Sequence, residues 1–127
     1  MGQQQILLLV VAAIVVVLAI SIGIEMFAAN ATESNRESIY AELNNLGSMA
    51  LQFYKKPIMN GGGGNSFSSW EVPTSLQATS NGTYSADAKN DVAIIKAMGS
   101  EIGNDGSNPI EMIATISPTE INFSVIN

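Results

Sequence analysis

From Ile6 to Ile24 the chain carries no charge and no proline: ILLLVVAAIVVVLAISIGI. Gln3, Gln4 and Gln5 precede this run and Glu25 ends it. As a helix its roughly 19 residues span about 28 Å, close to the hydrocarbon thickness of a bilayer. A surface helix of a soluble domain keeps a polar face, and this stretch has none. It therefore belongs in lipid, in a secretion channel, or inside an assembly that takes the place of lipid.

Three readings compete for residues 1–29. A cleaved secretory signal would use Ala29-Asn30-Ala31 as its cut site, but the amino-terminal side has no Lys or Arg and the apolar core exceeds the usual 7–15 residues. A plain membrane anchor fits the length, yet no basic residues flank the run to set its orientation. The third reading is a helix stored in the membrane and then packed into a polymer.

The next segment favours the third. Residues 25–56 contain no proline, and Ile39, Leu43, Leu46, Ala50 and Phe53 recur at steps of three and four, which places them on one helical face. Arg36, Glu37, Glu42 and Asn45 fall elsewhere. Lys55 and Lys56 suit the negative end of the helix dipole, and Pro57 stops the helix. A single helix is thus expected from about Gln3 to Lys56, roughly 80 Å long. Gly23 and Gly47 are its weak points. The competing expectation is a break near Asn30–Asn35, where ANATESN is rich in poor helix formers and cap residues.

Asn60-Gly61-Gly62-Gly63-Gly64-Asn65 holds neither helix nor strand and reads as a flexible corner. Short strands are expected after it. Leu76–Thr79 and Thr83–Asp87 flank Ser80-Asn81-Gly82, a hairpin signal. Val92–Ser100, Ile110–Ile116 and Glu120–Ile126 follow, separated by the turn clusters 103–109 and 117–119. Phe53, Tyr54, Phe67 and Trp70 read as the clamp between helix and sheet. The fold class is α+β: a long amino-terminal helix packed on an antiparallel sheet of four to five strands. Its parts are an apolar helix (1–29), an amphipathic continuation (30–57), and a glycine-rich loop with the sheet (58–127).

Composition removes several classes of function. With no histidine and no cysteine, the chain lacks the commonest general base and metal ligand, and it has no disulfides. No carboxylate pair stands out, so an enzyme is not expected, nor a cofactor or a resident metal. The net charge is −6 and the largest basic cluster is Lys55-Lys56, which argues against nucleic-acid binding. Asn104, Asp105, Ser107 and Asn108 are loose oxygen donors without the bidentate carboxylate of a calcium loop, as are Asp87, Asn90 and Asp91. GGGGN lacks the Lys-Ser/Thr of a phosphate loop. Aromatic residues make up 6%, too sparse for an electron-conducting path.

The run Ile6–Ile24, the face Ile39–Phe53, the glycine-rich loop and the strand signals from Leu76 to Ile126 together resemble the type IV pilins. The likeness spans the whole chain as architecture and the first thirty residues as sequence. It implies a structural subunit of an extracellular pilus-like filament, inserted in the inner membrane before assembly, with copies of itself and the pilus assembly machinery as partners. The alternatives are a minor pseudopilin of a secretion system, or a monomeric membrane-anchored module displaying Phe67 and Trp70 as a binding face. Pilins are cut after a glycine and usually carry a glutamate at the fifth mature residue. If Gly2 is the cut glycine, the mature chain begins at Gln3 and Leu7 is fifth; if Met1 is the mature start, Gln5 takes the glutamate's place; an uncut start is the third register.

The resemblance makes the apolar run the assembly element. Ala12, Ala13, Ala19, Ser21 and Gly23 are small enough for close helix approach. Gln5 can offer a neighbouring terminus only an amide hydrogen bond. Glu25 marks the exit from the apolar zone; if a filament buries it, it needs a partner such as Arg36 of another copy. Three N-x-S/T sequons start at Asn30, Asn81 and Asn122, about the number that a chain this rich in Asn, Ser and Thr yields by chance.

Overall fold

A computed structural model describes residues 2–127. Its elements are helix α1 (Gly2–Lys55), two single 3-10 turns (Ile58–Asn60 and Thr74–Leu76), and strands β1 (Gly82–Ala88), β2 (Ala93–Ile102), β3 (Pro109–Ile116) and β4 (Ile121–Val125). The chain divides into two units, one ending at Ala31 and one comprising Thr32–Asn127.

In the first unit every side chain from Gly2 to Asn30 is exposed. The helix is long and apolar enough to cross a membrane by length and composition, a property it shares with signal sequences. Gly23 touches nothing beyond its own helix and does not interrupt it.

The second unit is a helix on a sheet. The four strands run antiparallel in the order β1-β2-β3-β4, a meander whose short turns make each strand the neighbour of the next. Alternation along β3 is complete: Ile110, Met112, Ala114 and Ile116 face inward. The register places Tyr84, Ala97 and Met112 in one inward row and Ala93 beside Ile116 in another. Against this face the helix buries Asn35, Ile39, Leu43, Leu46, Gly47 and Ala50, so the three-and-four spacing of the sequence is the packing face, with Phe53 half-buried at its edge. Gly47 packs closely there. A methyl at this position would lie 3.1 Å from Ile121 Cδ1 and 3.4 Å from Ile116 Cγ1. On the outer face exposed Lys96 and half-buried Glu111 form an ion pair at 3.0 Å.

The structure bears out the single helix over its competitor and corrects three expectations. The helix does not break at Asn30–Asn35, because the poor helix formers there find partners in the sheet rather than capping the chain. Asn35 donates through Nδ2 to the Asn81 carbonyl at 2.8 Å and to Ser100 Oγ at 3.1 Å, and accepts from the Glu101 amide at 3.3 Å. Leu76–Thr79 is not a strand: Thr74–Leu76 is a 3-10 turn, and only Ala78 bridges to Thr83. The hairpin closes one residue earlier than Asn81-Gly82 suggests. Thr79 and Gly82 exchange both backbone bonds around Ser80-Asn81, and neither Asn81 nor Gly82 has positive φ, so the turn is not the type I′ that Asn-Gly favours. Finally, the glycine string is no flexible corner.

That string is the carboxy-terminal cap of α1. Backbone amides of Gly63, Asn65 and Gly64 donate to the carbonyls of Phe53 (2.7 Å), Tyr54 (2.7 Å) and Lys56 (3.0 Å), and the Gly62 amide donates to Pro57. Carbonyls at a helix end lack partners within the helix and cost energy if left bare. Here a reversal of the chain satisfies them, and the reversal needs glycine. Gly64 sits at φ +58, where a Cβ would meet Ile58, and a Cβ on Gly63 would land on the Ser66 carbonyl and on the Phe53 ring. Past this cap, Phe67, Trp70 and Val72 enter the core. Phe67 stacks on Tyr54 with ring centroids 4.6 Å apart, and its amide donates to the Asn90 carbonyl.

Candidate functional site

The residues expected to drive assembly all lie on the first unit of α1, and Gln5, Ala12, Ala13, Ala19, Gly23 and Glu25 are all exposed there. The regular helix sorts them. Steps of seven, seven and four residues bring Gln5, Ala12, Ala19 and Gly23 to within about 40° of one another at about 100° per residue. These four form one stripe, glutamine at one end and glycine at the other. Ala13 stands about 80° from the stripe and Glu25 lies on the opposite side of the helix. Ser21 spends its hydroxyl on the Val17 carbonyl at 3.0 Å, the usual resort of a serine in an apolar helix. The large side chains around the stripe, from Ile6 to Phe27, stay between about half and three-quarters exposed. A surface of this kind asks for lipid or for other apolar helices. Met1, the start of one processing register, lies outside the described residues.

The globular unit treats its candidate residues differently. Phe67 is fully buried and Trp70 nearly so, which removes them as a displayed binding face and makes them core. Arg36 Nη2 donates to Asn104 Oδ1 at 3.3 Å and to the Asn127 carbonyl at 3.4 Å, while its Nε is buried without an acceptor. Asp105 holds its own turn. It accepts from the amides of Ser107 and Asn108, both at 2.9 Å, and from the Asn108 side chain at 2.6 Å. These bonds, that of the Asn108 amide foremost, keep its carboxyl well below the usual carboxylate range. Its oxygens are committed to turn geometry, and among the described residues no group of three His, Cys, Asp or Glu side chains gathers around a common point. Of the sequons, Asn30 and Asn122 are exposed on α1 and β4, whereas Asn81 is half-buried and its amide donates to Glu42 Oε1 at 2.9 Å.

That last bond belongs to a cluster that the sequence does not reveal. Glu42, one helical position from the buried Leu43, reaches over the edge of the sheet. Its carboxylate accepts from Thr79 Oγ1 at 3.1 Å, from the Asn81 amide, and from the Tyr84 hydroxyl. Tyr84 is 4% exposed, and burial first, then its bond to Glu42, pushes its phenol well above the ordinary value of 10. The cluster locks the β1 hairpin to the helix through one carboxylate. Sequence separations of 37 to 42 residues hide it from any local spacing rule.

Two outcomes follow from this geometry. Glu42→Ala leaves the Tyr84 hydroxyl buried without an acceptor, at a cost of about 1–3 kcal/mol, whereas Glu42→Gln keeps an acceptor oxygen and costs less. The folded state also holds the Tyr84 proton where the unfolded chain releases it. The stability contributed is fully present below about pH 10 and falls as the pH rises above that value. Urea midpoints measured across the alkaline range should therefore drop more steeply for the wild type than for Tyr84→Phe. Parallel curves would mean the phenol is not held protonated.

The described residues bring no nucleophile, base or metal-ligand set together into a catalytic geometry; the carboxylate of Glu42 is spent on structure. What the chain offers at its surface is the exposed apolar helix. No protein-family model, no curated protein and no solved structure matches the chain.

Proposed function

We propose that the chain is a structural subunit of an extracellular filament of the type IV pilus kind, polymerising through the apolar part of α1. The observation that carries this reading is one helix with two chemistries. Gly2–Lys55 is unbroken, with every residue from Gly2 to Asn30 exposed, and the same element then buries Ile39, Leu43, Leu46 and Ala50 against a sheet. An anchor alone needs only a span. Here the span continues along the same helix into the residues that pack the sheet, so one element carries both the apolar surface and part of the folded core.

In the membrane the helix is already covered by lipid, so burial of apolar area does not by itself favour the polymer. Close packing between helices does, and small side chains permit it. The stripe Ala12–Ala19–Gly23 supplies the approach, and Gln5 at its head supplies an amide that must find a hydrogen-bond partner once water is excluded. The role is mechanical, with no catalytic step and no cofactor.

The test is direct. Surface material sheared from cells expressing the chain should contain filaments built from it, and the intact mass of the subunit should fix the amino terminus together with any sugar on Asn30 or Asn122. Recovery only as a detergent-soluble monomer overturns the reading and favours a membrane-anchored module.

A further inference from the structure

The turn Ile58-Met59-Asn60 is built to present apolar side chains to the outside. Ile58 is 73% exposed and Met59 97%, the highest value among the described large apolar residues. Loops commonly carry an apolar residue that folds back on the core, but this one is prevented from doing so. Its backbone is pinned at both ends, by Asn60 and Gly62 donating to the Pro57 carbonyl and by Gly61 donating to Ile58, while the glycines behind it cap α1. Ile58 rests against Gly64 and Met59 projects past it. Holding two large apolar groups in water on a rigid turn is unfavourable unless something covers them, and rigidity lowers the entropic cost of that contact.

The surrounding charge indicates what covers them. Lys55 and Lys56, both exposed, lead straight into the turn and make up two of the five basic residues of the chain. None of its eleven acidic residues lies between Glu42 and Glu71. The β1–β2 turn meets the loop at Ser66 and Phe67 through Asn90 and carries Lys89 and Asp91, of opposite sign, and the register sets the β3–β4 turn with Glu120 at the same end of the sheet. In a chain of net charge −6 the Lys55–Asn60 segment itself thus carries two lysines, two exposed apolar side chains and no acid. An apolar wedge with adjoining ammonium groups matches an anionic bilayer surface, where the wedge enters the acyl boundary and the lysines meet the headgroups.

We propose that the Lys55–Asn60 segment is a docking tip for anionic lipid membranes. This inference stands apart from the filament reading, since it rests on the loop alone. It assigns a lipid contact separate from the insertion of the apolar helix.

Because the chain has no cysteine, one can be placed at will. The full chain, its apolar helix held in phosphatidylcholine nanodiscs, carries Asn60→Cys labelled with an environment-sensitive dye. Adding vesicles of phosphatidylcholine mixed with phosphatidylserine should shift the emission to the blue, and pure phosphatidylcholine vesicles should not. Label on Ser80→Cys, in the exposed turn before β1 at the other end of the sheet, should stay unchanged. Lys55→Gln with Lys56→Gln should weaken the vesicle affinity by roughly tenfold or more, and raised salt should do the same. Ile58→Ser with Met59→Ser should abolish the shift while the urea midpoint stays at the wild-type value, since both side chains are exposed. No shift with anionic vesicles, equal shifts with both lipid mixtures, or a shift that survives the serine substitutions overturns the proposal. A shift on mixing two samples of the chain without vesicles would assign the tip to a second copy and overturn it equally.

Discussion

Gly63→Ala is expected to lower the stability of the Thr32–Asn127 unit by about 3 kcal/mol or more, while Gly61→Ala, two residues away, costs about 1 kcal/mol. The substitutions are chemically identical, and their surroundings separate them. Gly61 has a left-handed backbone at φ +84, but its missing Cβ points into open space, so alanine meets only conformational strain. At Gly63 the added methyl collides with the Ser66 carbonyl and the Phe53 ring. Relief would require moving either the loop or the aromatic layer, and the loop is fixed by its bonds to the last carbonyls of α1. Moving it strips the cap from the helix and displaces Phe67 from Tyr54. Trp70 is the one tryptophan and is buried in this region, so its fluorescence follows urea unfolding without a label. Equal, small losses at the two positions would show that the glycine string is a flexible corner after all.

Ala13→Trp and Gly23→Trp are expected to stop filament growth while the chain still enters the membrane. A tryptophan on a lone span costs little in lipid. Between packed helices it overfills the interface by an indole, and each overpacked contact costs about 1–3 kcal/mol. Every 1.4 kcal/mol is about tenfold in association. A subunit that meets several neighbours through the same position multiplies the loss, so filament yield falls by orders of magnitude. Gly23 lies on the stripe with Ala12 and Ala19, and Ala13 lies about 80° away. The pair therefore reports whether one side of the helix or more is in contact. A block at Gly23 alone would restrict assembly to the stripe. Normal filaments from both, counted by electron microscopy of sheared material beside membrane-fraction blots, would remove these positions from the interface.

Legibility in the sequence follows the range of the forces involved. The apolar run, the packing face Ile39–Leu43–Leu46–Ala50, the stop at Pro57 and three of the four strands rest on periodicity and on residues that break it, which act within a turn or a few residues. β1 was legible except for its two end residues, Gly82 and Ala88; the segment before it was not, because Leu76–Thr79 has the composition of a strand and lacks a partner. The competing break at Asn30–Asn35 failed for a related reason. Propensity scores asparagine by what it does alone, and Asn35 bonds instead to residues 46 to 66 positions away. The candidate assembly residues could be named from their size, but their sorting into a stripe required a helix that stays regular through Gly23.

By itself, then, the sequence determined that this chain has an α+β head behind an apolar helix, and that the helix has no polar side to give to water. Those facts depend on residue type at fixed spacing. Only the tertiary structure decided that four glycines form a helix cap, that Glu42 joins the helix to the β1 hairpin through Tyr84, and that Ile58 and Met59 face outward beside two lysines. Each of these depends on where a distant backbone carbonyl or hydroxyl comes to rest. That position is set by the packing of the whole core, which local spacing does not encode.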